Sequence, residues 1–217
     1  MTTELLHEIG TLALPEVLDE RARGTIRAEL EADAGESTRP YSAETMARQL
    51  DPEFAKSRTS WGTPEARQLV TAAIGLRLGA LEEFWRRPLE LNPELHFLTY
   101  DVGDYIRPHK DVIRPTVDMD SPSVELLQKI RERLVVFTIF LNDDFEGGEF
   151  ALLPGFPRPP LVVQASPGTM VAFPSDLAHA VRTVTAGRRH SITGWFRAPG
   201  KDKQPRRNNE QHHRGSQ

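Results

Sequence analysis

The sequence contains no cysteine, and this absence removes two classes of site at once. Without thiols the chain can form neither a disulfide framework nor a thiolate-bound metal centre. A secreted domain of the disulfide-stapled kind is therefore not expected. No stretch approaches the roughly 20 apolar residues of a membrane-spanning helix, so we expect no membrane partner. The start, MTTELLH, lacks the basic residues and apolar run of a signal peptide, and we expect a cytoplasmic protein.

An excess of charge of one sign is also missing. The chain has 27 Lys and Arg residues against 31 Asp and Glu residues, a formal net charge of −4. Because no global basic field exists, we assign no nucleic-acid partner. Residues 199–217 are basic and carry almost nothing apolar, which predicts a disordered basic tail, with a functional basic arm as the alternative. Residues 1–198 are long enough to form a single domain with a substantial core.

The first 30 residues predict one short strand and one helix. The strand is expected over residues 9–14. Pro15 fits the first turn of the helix, because proline is favoured there, and Val17, Leu18 and Ile26 fall roughly on one side.

A second, longer helix is expected within residues 1–92. Residues 31–60 are polar and rich in Ser, Thr, Pro and Gly, which predicts a loop with a short helix near 43–49. Thr63 and Pro64 then provide an N-cap hydroxyl and a first-turn proline. The helical spacing of apolar residues that follows predicts a helix to about Arg86. We interpret residues 1–92 as helical support for the rest of the domain.

From residue 93 onward, short strands alternate with Pro and Gly turns. Residues 134–141 are apolar throughout, which indicates a strand buried on both faces. An acidic turn is expected at 142–148, and a helix at about 124–133 lies in a segment, 112–133, that could form a lid. The other expected strands are 96–100, 105–106, 149–153, 161–165, 169–173, 180–184 and 191–196. This pattern predicts a mainly β sandwich or barrel over residues 93–198.

His109 and Asp111 are the first candidates for chemistry. They stand two positions apart, so on an extended backbone both side chains point to the same face and can reach one cation. His179, at the start of a later strand, is the best candidate for a third ligand. Two imidazoles and one carboxylate form the site type of non-haem Fe(II) oxygenases. The His-x-Asp pair alone is weak evidence, because such pairs arise by chance in any chain.

Arg189 is the second candidate. It shares one face of the last strand with Ser191 and Trp195, whereas His190 faces the opposite way. An inward-facing arginine needs an anionic partner, because a buried unpaired charge is costly. A guanidinium suits a carboxylate, which it binds through two parallel hydrogen bonds. The partner is either a ligand or, in an internal salt bridge, a protein Asp or Glu.

Taken together, these motifs resemble the Fe(II)/2-oxoglutarate-dependent dioxygenases, and most closely their prolyl-4-hydroxylase-like group. The resemblance covers about residues 95–197, in the order and at the spacings usual for the family. It is carried by His109-x-Asp111, LNDDFEGGE at 141–149, PGTMVAF at 167–173, His179, GRRHS at 187–191 and Trp195-Phe196.

The resemblance implies a double-stranded β-helix, or jelly roll, buttressed by the N-terminal helices, with iron near one open end. It makes His109, Asp111 and His179 the Fe(II) ligands. It makes Arg189 the cation that holds the far carboxylate of 2-oxoglutarate. Two further residues match positions that often touch the co-substrate, Ser191 and Tyr100. For Tyr100, a core tyrosine bonded to the backbone is the alternative.

The implied activity is that of a 2-oxoglutarate-dependent dioxygenase, which uses O2 to hydroxylate an unactivated C–H bond and releases succinate and CO2. Asp111 favours hydroxylation over halogenation, because related halogenases replace this carboxylate by a small residue. Desaturation or ring formation would use the same residues. We favour a small polar substrate, an amino acid or a natural-product intermediate, since no peptide-binding module accompanies the domain. The alternatives are a protein side chain as substrate, or a non-catalytic cupin-like protein that binds or senses a metal.

Four residues near the expected site are candidates for substrate binding. Arg107, Arg114 and Arg182 each lie within a few positions of an expected ligand, and Asn142 follows the apolar strand. One of the arginines could bind a substrate carboxylate or phosphate, with solvated surface charge as the alternative. Asn142 could face the substrate or serve the turn.

Overall fold

The computed structural model describes residues 3–32, 36–38, 55–111 and 132–200. In these ranges the helices are α1 (Thr3–Glu8), α2 (Glu20–Ala32), α3 (Pro64–Gly75) and α4 (Leu78–Trp85). The strands are β1 (Leu12–Leu14), β2 (Glu36–Thr38), β3 (Ala55–Ser60), β4 (Glu90–Tyr100), β5 (Tyr105–His109), β6 (Val135–Phe140), β7 (Phe145–Gly147), β8 (Phe150–Leu153), β9 (Leu161–Val163), β10 (Met170–Pro174), β11 (Ala178–Val181), β12 (Val184–Gly187) and β13 (Arg189–Arg197).

Eleven of these strands form one antiparallel sheet. Its neighbours follow the order β1-β10-β6-β13-β4-β3-β5-β11-β8-β9, with β2 paired to β3. Strand β3 pairs with β4 through its second half and with β5 through its first residues, so it joins the two halves of the sheet. The sheet curls around a cavity lined by residues of both halves. Strands β7 and β12 form a separate two-stranded sheet.

Strand β6 separates two hydrophobic cores, which explains why it is apolar at nearly every position. All six of its residues are buried. Phe137 packs toward the helices, in a core with Ile26 of α2 and Val70 of α3. Val136 faces the other way, in a second core with Phe150. The expectation of a strand covered on both faces is confirmed, since one face meets the helices and the other the interior of the curled sheet.

Two expectations for the first 32 residues need correction. The strand begins at Leu12 rather than at residue 9. Pro15 does not lie in the first turn of a helix, because α2 begins at Glu20. The local signal is instead Asp19, whose Oδ1 accepts a hydrogen bond from the backbone N–H of Ala22 at 2.8 Å. A carboxylate in this position caps the N-terminus of a helix. The cap at Asp19, rather than Pro15, therefore marks where α2 begins.

The predicted loop over residues 31–60 is wrong at two strands, β2 and β3. In β3, Ala55, Ser57 and Thr59 are the buried residues. This face is built from small and mostly polar side chains, so the alternation of apolar and polar residues that normally marks a strand is hidden. The expected helices near 43–49 and 124–131, the lid segment 112–131 and the tail from residue 201 lie outside the described residues.

The predicted helix start at Thr63 is confirmed, and the predicted length is not. Thr63 Oγ1 accepts a hydrogen bond from the backbone N–H of Ala66 at 3.2 Å. The helix ends at Gly75, and α4 starts after Arg77, so the expected single helix to Arg86 is two helices. Gly75 lies at the break, where its low helix propensity favours an end.

Several strand boundaries also differ. Strand β4 begins at Glu90 rather than at residue 96, and β5 ends at His109 rather than at residue 106. The expected acidic turn at 142–148 contains β7, and the expected strand at 180–184 is divided between β11 and β12. The hairpin-like pairing of β7 with β12 uses residues of both segments. None of the helices in the described ranges has the length and apolar character needed to cross a membrane.

Candidate metal centre

The pairing of β5 with β11 places the two candidate histidines side by side. His109 ends β5, His179 lies in β11, and the two are register partners. Their rings are 4.2 Å apart between centroids. Asp111 follows β5 by two residues, where its backbone N–H donates to the carbonyl of Ser175 at 3.0 Å. The three expected ligands, distant in sequence, therefore meet at one end of two strands.

The ligand atoms of the three residues lie within 4.8 Å of one another. His109 Nε2 is 3.6 Å from Asp111 Oδ1, and His179 Nε2 is 3.8 Å from Asp111 Oδ2. These separations are too long for hydrogen bonds, so the atoms face a common point without bonding to each other. Two imidazole nitrogens and a carboxylate oxygen are a donor set that suits Fe(II).

The other ring nitrogen of each histidine is held by the backbone. His109 Nδ1 lies 2.9 Å from the carbonyl oxygen of Arg107, and His179 Nδ1 lies 3.1 Å from that of Leu177. A carbonyl can only accept, so each Nδ1 carries the proton and donates it. The lone pair of each Nε2 is then left for a metal, which is the usual arrangement around metal-bound histidine.

Burial and neighbouring charges keep the ligands in the form that binds a cation. Burial, together with a smaller effect of His109, lowers the pKa of His179 to about 4, although Asp111 opposes the shift. Burial by itself would raise the pKa of Asp111, but His179, His109, Arg133 and the indole N–H of Trp195 together hold it below its usual value. At neutral pH His179 is therefore neutral and Asp111 is ionised.

A cavity of about 100 Å³ opens beside the three ligands. Phe150 and Phe173 line it, and their rings pack around His179 with centroids at 5.8 and 4.8 Å. Arg189 and Ser191 line the same cavity. The metal candidates and the candidate anion-binding residue thus share one enclosed space.

Arg189 is buried, with 1% of its surface exposed. Its Nη1 donates to Ser191 Oγ at 2.9 Å, and its guanidinium carbon lies 4.9 Å from the centre of the Tyr100 ring. Its Nε has no hydrogen-bond partner, and within the described residues no ion pair joins Arg189 to a carboxylate. The alternative of an internal salt bridge therefore finds no support in this part of the chain. A buried cation without an anion is what a site for a carboxylate ligand requires.

Comparison with known proteins agrees with this geometry. Residues 95–197 match the family model described as the 2OG-Fe(II) oxygenase superfamily, in which 2OG is 2-oxoglutarate. These residues, a little under half of the chain, resemble that superfamily. A PKHD-type hydroxylase of Crocosphaera subtropica is 40% identical over 63 residues, which is 28% of this chain and 28% of the relative. The chain thus matches well under half of the length of this curated relative.

Solved structures match the fold of this chain over nearly its whole length. A prolyl-4-hydroxylase of Pseudomonas putida superposes with a TM-score of 0.62 at 21% identity, covering 91% of this chain and 97% of the other. A prolyl hydroxylase of Trichoplax adhaerens, solved with a peptide fragment of a hypoxia-inducible factor, gives 0.65 at 16% identity, covering 91% and 87%. The curled antiparallel sheet is therefore a double-stranded β-helix, as expected.

Tyr100 is the neighbour of Arg189 in the sheet. It is 1% exposed and pairs with Arg189 across β4 and β13. Burial raises the pKa of Tyr100 to about 12, although Arg189 opposes this, so the phenol is neutral at physiological pH. Its hydroxyl keeps a proton and is able to donate a hydrogen bond.

The residues considered for substrate binding are dispersed. Arg107 and Arg182 line an open groove outside the cavity that holds the triad. Asn142 is 3% exposed, donates to Asp144 and to the carbonyl of Arg188, and accepts from the backbone N–H of His190 at 2.7 Å. Its described contacts hold a turn together. Arg114 lies outside the described residues.

Arg133 is the cation that sequence reasoning missed. It lines the cavity with the triad, and its guanidinium carbon lies 3.8 Å from the ring centre of Trp195. Its carboxylate neighbour Glu94 is 3.7 Å away and 40% exposed, so the pair is weak. Strand alternation would have placed Arg133 on the same face as Val135, toward the helices, so no local signal indicated that it lines the cavity.

Proposed function

We propose that the chain is an Fe(II)- and 2-oxoglutarate-dependent dioxygenase that hydroxylates an unactivated C–H bond of a small, polar, carboxylate-bearing substrate. One observation carries the proposal: the His109–Asp111–His179 cluster lines the same cavity as Arg189, whose guanidinium meets no carboxylate among the described residues. A metal site of purely structural purpose has no need for a buried arginine without an anion.

The residues of the triad fit a ferrous ion through Nε2 of each histidine and a carboxylate oxygen of Asp111. Three protein ligands leave other positions free for a co-substrate. When bound, Fe(II), 2-oxoglutarate and O2 supply the oxidising power that inserts oxygen into a C–H bond, with release of succinate and CO2. The protein itself has to bind, orient and shield the reactants.

Arg189 would bind the far carboxylate of 2-oxoglutarate through charge-assisted hydrogen bonds. Ser191 Oγ accepts from Arg189 Nη1 and so fixes the plane of the guanidinium. Tyr100, neutral because of burial, would donate from its hydroxyl to the same carboxylate. Arg189 and Tyr100 are register partners in the paired strands β13 and β4, and Ser191 follows Arg189 in β13.

The wall between these residues and the metal ligands is largely apolar. Leu98, Ile106, Val136, Phe150 and Phe173 line it. Such a wall excludes bulk water and restricts how a substrate carbon can approach, which is the main contribution that a protein makes to reactions of this kind.

Arg133 supports a substrate that carries a carboxylate. It is held flat on Trp195, is close to Asp111 and is only weakly neutralised by Glu94. A small acid such as an amino acid could therefore be anchored here while its carbon chain reaches toward the metal. A protein side chain is the alternative substrate, and substrate screening distinguishes the two.

The activity is tested by anaerobic titration of the full chain with Fe(II) and then 2-oxoglutarate. A visible charge-transfer band is expected on addition of 2-oxoglutarate. Arg189→Ala should weaken it strongly, because removal of one partner of a buried charged pair costs about 2–5 kcal/mol. Arg188→Ala is the matched control, since this neighbouring arginine is 43% exposed and pairs with Asp101.

His179→Ala should abolish Fe(II) binding in the same titration. Metal binding that does not respond to 2-oxoglutarate would support a cupin-like sensor instead. Succinate release, screened across free amino acids, carrier-bound amino acids and peptides, then identifies the substrate class. Stimulation by peptides alone would refute the small-substrate proposal.

A further inference from the structure

We propose that Trp195 is a positioning residue for the metal ligand Asp111, and that it acts within a closed ring of contacts. The ring consists of Asp111, Ser175, Leu134, Arg133 and Trp195, and we call it the Asp111 clasp. The proposal rests on the metal site described above but requires neither 2-oxoglutarate nor turnover.

The side-chain contact of the clasp selects one carboxylate oxygen. Trp195 Nε1–H donates to Asp111 Oδ2 at 3.1 Å. Oδ2 is the oxygen that faces His179, whereas Oδ1 faces His109. Without a directional donor, the carboxylate would be free to rotate about its terminal torsion, which has broad minima. The indole N–H therefore determines which way the ligand oxygens point.

The backbone contacts of the clasp hold the same residue from the other side. The N–H of Asp111 donates to the carbonyl of Ser175 at 3.0 Å. Ser175 in turn donates from its N–H to the carbonyl of Leu134 at 3.1 Å and from its Oγ to the carbonyl of Arg133 at 2.7 Å. Asp111, which follows the end of β5, is thus tied to the start of β6.

Arg133 closes the ring. Its guanidinium carbon lies 3.8 Å from the centre of the Trp195 ring system, a distance at which a cation is attracted to an aromatic face. Trp195 is 4% exposed, and the edge of the His96 ring meets it with centroids 4.9 Å apart. The indole is therefore packed on two sides and cannot swing away from Asp111 without breaking these contacts.

The clasp orients the carboxylate before any metal arrives. Partners that orient a metal ligand in this way typically contribute about 10- to 100-fold to metal affinity. Arg133 contacts the indole ring and would act on Asp111 through it, so its contribution to metal affinity should be smaller than that of Trp195.

The experiment is calorimetric titration of the full-length, metal-free protein with Ni(II) alone. Nickel is chosen because imidazole-rich sites bind it more tightly than Fe(II) and it does not react with O2 under these conditions. Trp195→Phe keeps the aromatic body and removes the N–H donor, and it should weaken Ni(II) binding about 10- to 100-fold. The matched control is Trp61→Phe, because Trp61 is 59% exposed and is absent from the clasp.

A double-mutant cycle separates positioning from a general structural effect. In an Asp111→Ala background only the two histidines remain, and Trp195→Phe should then cause no further loss of affinity. If Trp195→Phe weakens Ni(II) binding equally in both backgrounds, or by less than about twofold in the wild type, the proposal is overturned.

If Trp195→Phe does not fold, Arg133→Met tests the same ring. It should weaken Ni(II) binding severalfold in the wild type and not at all in the Asp111→Ala background, and equal losses in both would overturn the proposal. Only Ni(II) is added, so this test does not depend on 2-oxoglutarate. If Trp195→Phe weakens Ni(II) binding as expected but the protein does not respond to 2-oxoglutarate, the dioxygenase proposal is refuted and the clasp proposal stands.

Discussion

Replacement of Arg189 by methionine should have opposite effects on the free protein and on its complex with 2-oxoglutarate. In the free protein Arg189 is 1% exposed, and its Nη1 donates to a neutral hydroxyl, Ser191 Oγ. Its Nε has no hydrogen-bond partner among the described residues. An unsatisfied buried donor costs about 1–3 kcal/mol, and more when it is charged. Met fills a similar space without that cost.

Methionine also removes the contacts that Arg189 makes with Ser191 and Tyr100. A hydrogen bond of this kind contributes about 1 kcal/mol, and a buried cation–π contact about 1–2 kcal/mol. Because Arg189 is charged, the gain should reach the upper end, about 3 kcal/mol, against losses of about 2–3 kcal/mol. The free variant should therefore be unchanged or more stable by about 1 kcal/mol. For a chain of this size, 1 kcal/mol corresponds to a rise in Tm of about 2–4 °C.

The ligand-bound protein should respond in the other direction. At a 2-oxoglutarate concentration about 100 times the Kd, and with metal present, the wild type gains about 2.7 kcal/mol. Removal of the buried cation should weaken binding by at least about 30-fold. At the same concentration the variant then gains less than about 1 kcal/mol.

The assay is thermal unfolding of both proteins with and without 2-oxoglutarate, at a fixed concentration of a redox-inert metal. Arg188→Met is the control, because Arg188 is adjacent in sequence but lies on the surface, 43% exposed. A fall in the Tm of the free Arg189→Met variant by several degrees would show that Arg189 has an anionic partner in the protein. A wild-type-sized shift with 2-oxoglutarate would refute the assigned role of the guanidinium.

Three further predictions concern the stability of the scaffold, measured by urea unfolding of the metal-free protein. Gly194→Ala should destabilise by about 1–3 kcal/mol, because a Cβ there would lie 2.5 Å from a ring carbon of Phe137; Gly79→Ala, in open helical space, should instead stabilise by about 0.5–1 kcal/mol, and equal effects would contradict this. Burial lowers the pKa of His190 from 6.5 to about 4, so the unfolded chain takes up a proton there before the folded one does. The contribution of His190 to stability should therefore fall by at most about 3 kcal/mol as pH drops from 6.5 toward 4. His190→Gln should reduce the slope of stability against pH, and an unchanged slope would show that other groups cause it. Thr63→Ala should cost about 1 kcal/mol through loss of the helix cap, and Thr63→Ser should restore most of it.

The interior residues could be predicted from the sequence because strand alternation holds wherever a strand is regular. In β13, Arg189 and Ser191 line the cavity. His190 points to the opposite face of the sheet, where it is buried and its Nδ1 lies 3.1 Å from the hydroxyl of Thr99. The burial of strand β6 was equally predictable from the sequence, because its residues are apolar at nearly every position and apolar groups cover both of its faces. In both strands the period of two residues survives in the folded chain.

The buried face of β3 could not be predicted, because its residues are small and polar. Ser57 and Thr59 are 4% and 8% exposed although nothing in their composition indicates burial. Pairing with β4 and β5 gives hydrogen-bond partners to the backbone of this strand. Such a strand is determined by its partners in space, which a local pattern does not contain.

The position of Arg107 in the groove, outside the cavity that holds the triad, has a specific cause in the backbone. Arg107 and His109 are two residues apart, so regular alternation would turn both toward the metal site. The register between β5 and β11 shifts, however: His109 pairs with His179, and Ile106 pairs with Val181. Between these pairs, two residues of β5 therefore oppose one of β11, which is a β-bulge.

The bulge contains Pro108, which lacks the N–H that a regular ladder would use. It lets Ile106 and His109 both line the cavity while Arg107 lies in the groove outside. Without the extra residue, either Ile106 would leave the core or His109 would turn away from His179 and Asp111. The metal site thus depends on an irregularity whose presence is suggested by one proline, and whose consequence for Arg107 follows only once the pairing with β11 is known.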